Sequence, residues 1–118
     1  MLQPVLRIDA QADLAALDLA VVERLEKLAP FGRGNPRAVV AVRNVKLLSP
    51  PQRMGRAGNT VSFIVGQGAG RMRCVGFGMG KLADELDGVE GIDVAGTPVL
   101  NRFAGRSSAE MHLRDVRW

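Results

Sequence analysis

The side chains that most often carry out chemistry in enzymes are scarce in this chain of 118 residues. One cysteine and one histidine, Cys74 and His112, are too few for a zinc site or a set of Cys-His catalytic pairs. Cys74 lies in the apolar run MRCVGF, which predicts a buried core residue, and His112 is expected at the surface. Asp84, Glu85 and Asp87 are interpreted as the solvated end of a helix. We therefore predict no catalytic centre and no metal ion or other cofactor in this chain.

The glycine-rich stretches do not match the phosphate-binding motifs that they resemble at first reading. In GFGMGKL (76–82), the glycine that a P-loop requires five residues before Gly80 is replaced by Val75, and no Ser or Thr follows Lys81. GQGAGR (66–71) misses the dinucleotide-binding spacing and lies outside any βαβ unit. Nucleotide hydrolysis and dinucleotide binding are therefore not expected.

The basic residues are the chemical signal of this sequence. The formal net charge is +4, but no Asp or Glu occurs between Lys27 and Ala83, an interval that holds ten Lys or Arg residues. At the chain's average acid content, about six carboxylates would be expected there. GC-rich codons would explain why arginine outnumbers lysine, but they would not remove the acids. The distribution favours a polyanionic partner such as nucleic acid.

The N-terminal part of the chain predicts one strand and one helix. PVLRIDA (4–10) reads as a short strand. Asp18 is placed to cap the helix that follows, and Val21, Leu25 and Leu28 form its apolar face at i, i+4 and i+7.

From residue 38 onward, the pattern predicts short strands separated by glycine and proline. Pro98 predicts that its strand is at an edge or next to a bulge. Five strands with a short helix between the third and fourth give a mainly β domain (α+β overall) with the element order of an OB-fold barrel, an order that other small barrels share in large part. The strands are expected at 38–48, 59–65, 71–77, 91–101 and 109–118, the helix at about 78–86, and loops at 49–58, 66–70 and 102–108.

An OB-fold binds its ligand on the face of its second and third strands, between the loops that join strands 1–2 and 4–5. The basic residues are expected to gather on this face, and the acids to lie elsewhere, in the segment ADELDGVEGID (83–93). The predicted nucleic-acid contacts are Arg53 and Arg56 in the first loop, Arg71 and Arg73 on the outward side of the third strand, Arg102, Phe103 and Arg106 in the second loop, and Lys46 and Lys81 as additional cations.

The aromatic residues predict a poor surface for stacking bases. Phe31, Phe63 and Phe77 are expected in the core, and Trp118 is expected to cap an end of the domain. Phe103 is then the one loop aromatic placed to stack on a base.

Four short motifs, in this order and spacing, resemble the C-terminal part of the RecJ family. They are LAPFGRGNP (28–36), VGFG (75–78), LNRFAG (100–105) and LRDV (113–116). RecJ proteins are single-strand-specific 5′–3′ DNA exonucleases of the DHH phosphoesterase superfamily, which act in DNA repair and recombination. The resemblance implies that residues 1–30 are the tail of the nuclease core, that 31–37 form a hinge anchored by Phe31, and that 38–118 form the OB-fold domain.

Two departures from the family pattern limit what the resemblance implies. The Asp and His motifs that hold Mn²⁺ or Mg²⁺ in the parent enzymes have no counterpart here, so this fragment is expected to cut nothing alone. Members of the family commonly carry His-Leu-Lys-Leu where this chain has Thr60-Val61-Ser62-Phe63. Losing that His and Lys shifts the expected DNA contacts toward Arg71 and Arg73.

The leading hypothesis is therefore a domain that binds single-stranded DNA and delivers it to a catalytic core absent from this chain. Binding by the domain alone is expected to be weak, indifferent to sequence and sensitive to salt, with a log–log slope of about −4 for six phosphate contacts. The alternative is a structural or protein-interaction module that docks on the nuclease core, a helicase or a single-strand-binding protein. The start MLQPVLRIDA shows no secretory signal and no apolar run is long enough for a bilayer, which predicts a cytoplasmic location without a membrane partner.

Overall fold

The computed structural model describes residues 8–28 and 38–118 of the chain. Its strands are β1 (Ala10–Gln11), β2 (Val40–Leu47), β3 (Gln52–Met54), β4 (Thr60–Gln67), β5 (Gly70–Phe77), β6 (Gly91–Phe103) and β7 (Arg106–Arg117). Its helices are α1 (Leu19–Leu28) and α2 (Leu82–Glu85), with 3-10 turns at Leu14–Ala16 and Arg56–Gly58.

Five of these strands close into a ring. β2 pairs antiparallel with both β4 and β6, β4 pairs with β5, and β6 pairs with β7. A parallel pairing of β5 with β7 completes the closure. α2 lies between the third and fourth strands of the ring, which is the OB-fold arrangement that the element order predicted. β1 and β3 extend the sheet at its two edges.

Alternation of inward-facing and outward-facing residues along the strands builds the core of the barrel. In β4, Val61, Phe63 and Val65 are buried, as their spacing predicted. In β5, Met72 and Cys74 point into the same core, and β7 adds Met111, Leu113 and Val116. The intervening residues of these strands consequently point away from the core, and these positions carry the candidate functional site.

The N-terminal helix packs on the barrel through Val21, as the sequence predicted, and also through Val22 and Glu26, which the sequence did not predict. Asp18 caps α1 as expected, because its Oδ1 accepts a hydrogen bond from the Val21 N–H at 2.9 Å. The fully buried residue is Val22, however, whereas Val21 and Leu25 are half-buried. Glu26, one turn after Val22, accepts a hydrogen bond from the Leu100 N–H at 3.0 Å. This polar contact with β6 turns the Val22–Glu26 side of the helix toward the barrel.

The long strand β6 changes its neighbours along its length. β6 pairs with β2 from Gly91 to Gly96. On its other side β6 pairs with β7, and the register of that pairing shifts between Ala95 and Gly96. Beyond that point the Leu100 N–H faces α1. Pro98 lies two residues before Leu100, so its nitrogen faces the same way and its missing N–H costs no hydrogen bond to β7. The expectation that Pro98 marks an edge or a bulge is confirmed.

Several boundaries differ from those that the sequence predicted. The loop expected at 49–58 contains the edge strand β3 and a 3-10 turn, and the helix expected at 78–86 is the single turn α2. Of the strand expected at 4–10, only the end is described, and strand structure there is limited to β1. The proposed hinge at 31–37, with Phe31, lies outside the described residues. In the part of the chain that is described, neither helix has the length and apolar content needed to cross a bilayer.

Candidate functional site

The candidate site lies on the side of β4, β5 and β7 that faces away from the core, which we call the outer face. On β5, the alternation that buries Met72 and Cys74 turns Arg71, Arg73 and Phe77 outward. Directly opposed residues of neighbouring strands share a face, so the pairing register identifies the remaining members. They are Met54 on β3, Thr60, Ser62 and Ile64 on β4, Asn101 and Phe103 on β6, and Arg106, Glu110 and His112 on β7.

Arg73 lies at the centre of the outer face and is held there by its neighbours. Its Nε donates to Ser62 Oγ at 3.0 Å, and its Nη2 lies 3.5 Å from Met54 Sδ. Its Nη1 is 3.9 Å from Glu110 Oε2. The guanidinium therefore spans β3, β4 and β7, yet 44% of the side chain remains exposed. Arg73 is a cation with a fixed position rather than a freely moving one.

Arg71 and Lys46 lie on the same face near one end of the barrel. Gly66 of β4 is opposed by Arg71 on one side and by Lys46 of β2 on the other. The three residues therefore lie in one row across three strands, with the two cationic residues about 10 Å apart along the hydrogen-bonding direction. Both side chains are exposed. This row adds two solvated positive charges to the fixed charge of Arg73.

Glu110 overturns the expectation that the acids would lie away from these arginines. It is one of the buried polar residues, 8% exposed, and it lies on the outer face opposite Arg73. Its Oε2 accepts a hydrogen bond from Asn101 Nδ2 at 2.9 Å, and its Oε1 is 3.7 Å from His112 Nε2. The sequence could not reveal this because Arg73 and Asn101 approach Glu110 only through strand pairing.

Phe77 was predicted in the core, and that prediction was wrong. Phe77 is an even number of residues from Arg71 and Arg73 on β5, so it points to the same side of the strand as they do. The residue is 64% exposed on the outer face. Its edge-to-face contact with His112, with ring centroids 5.1 Å apart and planes at 87°, fixes its orientation. The two rings border a groove of about 910 Å³, whose lining also includes Glu26, Met79, Thr97, Val99, Leu100, Asn101, Glu110, Leu113 and Arg114.

The loop predicted at 102–108 is instead a continuous hairpin. β6 and β7 are joined through Ala104 and Gly105, both with positive φ, and Phe103 opposes Arg106 across the turn. Arg106 and the 78% exposed Phe103 therefore lie on the side of Asn101 and Glu110, whereas Arg102 points to the other side of the hairpin. Only two of the three predicted contacts in this segment face the candidate site.

The first loop is fixed against α2 by an ion pair. Arg53 Nη2 lies 2.5 Å from Asp84 Oδ2, and Arg53 Nη1 donates to the Gly58 carbonyl at 3.3 Å. The Gly80 N–H donates to the Asn59 carbonyl at 3.0 Å, and the backbone approach is so close that a Cβ on Gly80 would overlap the Gly58 carbonyl. The charge of Arg53 is thus matched by an acid of the segment expected to lie apart from the basic residues.

The remaining predicted cations, Arg56 and Lys81, are exposed in this same region, in the 3-10 turn and just before α2.

Cys74 is a core residue as predicted, and burial raises the pKa of its thiol from 9.0 to about 12. Within residues 8–28 and 38–118, no group of three or more His, Cys, Asp or Glu side chains is arranged to hold a metal ion. The residues that the structure brings together can bind an anion and stack on a ring, and they form no recognisable catalytic set.

Comparison with known proteins identifies the family and agrees with the fold. The family model of the RecJ OB domain matches residues 8–115. The single-stranded-DNA-specific exonuclease RecJ of Bacillus subtilis is 23% identical over 113 residues, which cover 96% of this chain and 14% of that protein. This chain therefore spans about one seventh of the length of that curated relative.

Two solved structures share the fold. The second single-stranded DNA-binding protein of Mycobacterium smegmatis (SSBb) is similar with a TM-score of 0.52 and 20% identity, over 66% of this chain and 81% of that one. An aspartyl-tRNA synthetase from Entamoeba histolytica is similar with a TM-score of 0.61 and 10% identity, over 98% of this chain and 28% of that one.

Proposed function

This chain belongs to the RecJ OB domain family, and we propose that it binds single-stranded DNA across the outer face of its barrel. The observation that carries the proposal is the gathering of Lys46, Arg71, Arg73 and Phe77 on one side of the sheet. The three cations can contact successive phosphates, and the exposed ring can stack on an unpaired base. The hairpin extends the same side with Phe103 and Arg106.

In this proposal the phosphate contacts differ in kind. Arg73 is already oriented by Ser62 and Met54, so it loses little side-chain freedom when it contacts a phosphate. Arg71 and Lys46 are solvated and contribute chiefly through charge and counterion release. Arg53 contributes only when a phosphate competes with Asp84, which makes it the weakest of the proposed contacts.

We place the domain in a longer single-strand-specific 5′–3′ exonuclease that acts in DNA repair and recombination. The support is the match to a RecJ protein of which this chain would make up about one seventh. The domain would hold the strand while the remainder of the enzyme, with its Mn²⁺ or Mg²⁺, cleaves it. A helicase or a single-strand-binding protein that supplies the unpaired strand would act beside it.

The test is the affinity of the chain for a fluorescein-labelled 12-nucleotide DNA strand, measured by anisotropy from 50 to 300 mM salt. We expect a log–log slope of about −3 for the four cations on this side of the sheet, Lys46, Arg71, Arg73 and Arg106. The variant Lys46→Glu/Arg71→Glu removes two cations from the outer face without touching the Arg73 network, and it should weaken binding more than tenfold. Arg24→Glu/Lys27→Glu makes the same charge change on the exposed side of α1 and is the matched control.

A slope near zero, or equal losses in both variants, would refute the proposal and favour a protein-docking role. An RNA strand of the same sequence in the same assay reports whether the surface discriminates between the two nucleic acids.

A further inference from the structure

Glu110 is an unusual residue to find in the middle of a surface proposed to bind phosphates. Its Oε2 is occupied by Asn101 Nδ2 at 2.9 Å and lies near Arg73. Its Oε1 is 3.7 Å from His112 Nε2, beyond hydrogen-bonding distance, and within the described residues no donor bonds to it. Oε2 thus holds the carboxylate in place, and Oε1 is available to accept a hydrogen bond from a ligand.

The available oxygen lies on the groove beside Phe77. Glu110, Asn101 and His112 all line this groove, together with Thr97 and the ring of Phe77. With a volume of about 910 Å³, the groove has room for one base. An aromatic wall with a polar floor is the combination that proteins use to hold an unpaired base and to contact its edge.

We propose that this groove takes one unpaired nucleobase, and that Glu110 Oε1 accepts a hydrogen bond from the exocyclic amino group of that base. Cytosine, adenine and guanine offer such a donor, whereas thymine and uracil present carbonyl oxygens that a carboxylate repels. The inference rests on the proposed binding of single-stranded DNA. It departs from the sequence-indifferent binding predicted above, because one position along the strand is selective.

The sharpest comparison is between cytosine and uracil, since the amino group of cytosine at C4 is a carbonyl oxygen in uracil and the two rings are alike in size. Competition anisotropy at 100 mM salt and pH 7.5 with (dC)₁₂ and (dU)₁₂ measures the preference. A single hydrogen bond to a charged group predicts that (dC)₁₂ binds about tenfold more tightly.

Glu110→Gln is the test variant, because an amide offers a donor as well as an acceptor. It should bring the ratio of the two affinities close to one. Glu90→Gln removes the same charge from an exposed residue between α2 and β6, and it should keep the tenfold ratio. If Glu110 served only to hold Asn101 and Arg73, its replacement would change both affinities equally and leave the ratio as it was.

A ligand analogue makes the test independent of how well the variant folds. A 12-nucleotide strand in which 2-pyrimidinone, which lacks only the amino group, replaces cytosine at every position should bind the unmodified chain about tenfold more weakly than (dC)₁₂ does. Equal binding of (dC)₁₂ and (dU)₁₂ with a normal salt slope would overturn the inference and leave the proposed function intact. A tenfold preference that persists in Glu110→Gln would also overturn it. Failure of both strands to bind would instead remove the proposed function.

Discussion

Replacing Phe77 with alanine separates binding from stability, because the ring is largely outside the core. With 64% of the residue exposed, the substitution creates no cavity, and the main loss to the fold is the edge-to-face contact with His112. Such a contact is worth about 0.5–1.5 kcal/mol, so the free energy of unfolding should fall by about 1 kcal/mol. Stacking of a base on an aromatic ring is worth about 1–3 kcal/mol, which corresponds to a loss of affinity of roughly 5- to 150-fold.

The assay is anisotropy of a labelled DNA strand across a range of salt concentrations, combined with urea denaturation of the same variant. Because no charge changes, the salt slope should stay at its original value while the affinity falls at every salt concentration. Trp118→Ala is the matched control, since Trp118 is an exposed aromatic residue six positions beyond His112, about 20 Å along β7. A loss of less than twofold for Phe77→Ala, or an equal loss for Trp118→Ala, would refute the assignment of Phe77 as a stacking residue.

Three further outcomes follow from individual contacts. Arg71→Ala should make the salt slope less negative by about 0.7 and reduce affinity about fivefold at 0.1 M salt; an unchanged slope would remove Arg71 from the interface. Asp84→Ala releases Arg53, so it should cost at most about 1 kcal/mol of stability and strengthen DNA binding by up to about fivefold, whereas weaker binding would contradict this reading of the ion pair. Burial raises the pKa of the Cys74 thiol from 9.0 to about 12, so above pH 9 the unfolded state loses the proton first and stability falls as pH rises. Between pH 8 and pH 10 this should amount to about 1.4 kcal/mol in urea denaturation, and Cys74→Ala should lack that part of the decrease.

The barrel could be predicted from the sequence because its strands alternate clearly. Val61, Phe63 and Val65 identify the buried side of β4, and the Arg71–Met72–Arg73–Cys74 alternation identifies both sides of β5. Such local patterns need no knowledge of the neighbouring strands.

Two cues conflicted at Phe77. Alternation from Arg71 placed it outward, whereas its apolar character suggested the core, and strand geometry prevailed. The hairpin at Ala104–Gly105 was missed for a related reason, because its turn carries an alanine at φ 52° instead of the Asn-Gly or Asp-Gly pair that usually signals such turns.

The charge arrangement of the site could not be predicted, because it depends on contacts between distant parts of the chain. Arg53 and Asp84 are 31 residues apart, and the barrel closure between β5 and β7 is what brings Arg73 to Glu110. The acid-free interval drew attention to the basic residues, but composition contains no information on which acids fold back onto them. The hinge at 31–37 and the domain division based on it stay predictions.

The hydrogen bond between Glu26 and the Leu100 N–H bears on any attempt to produce the barrel alone. In the described part of the chain, α1 covers the edge of β6 beyond Gly96, where the pairing with β2 ends. A shortened version that begins at residue 38 would leave this edge of β6 exposed. Exposed strand edges tend to pair with strands of other molecules. Excised barrels should therefore self-associate through β6, and retaining residues 8–28 should keep them monomeric at the same concentration in size-exclusion chromatography.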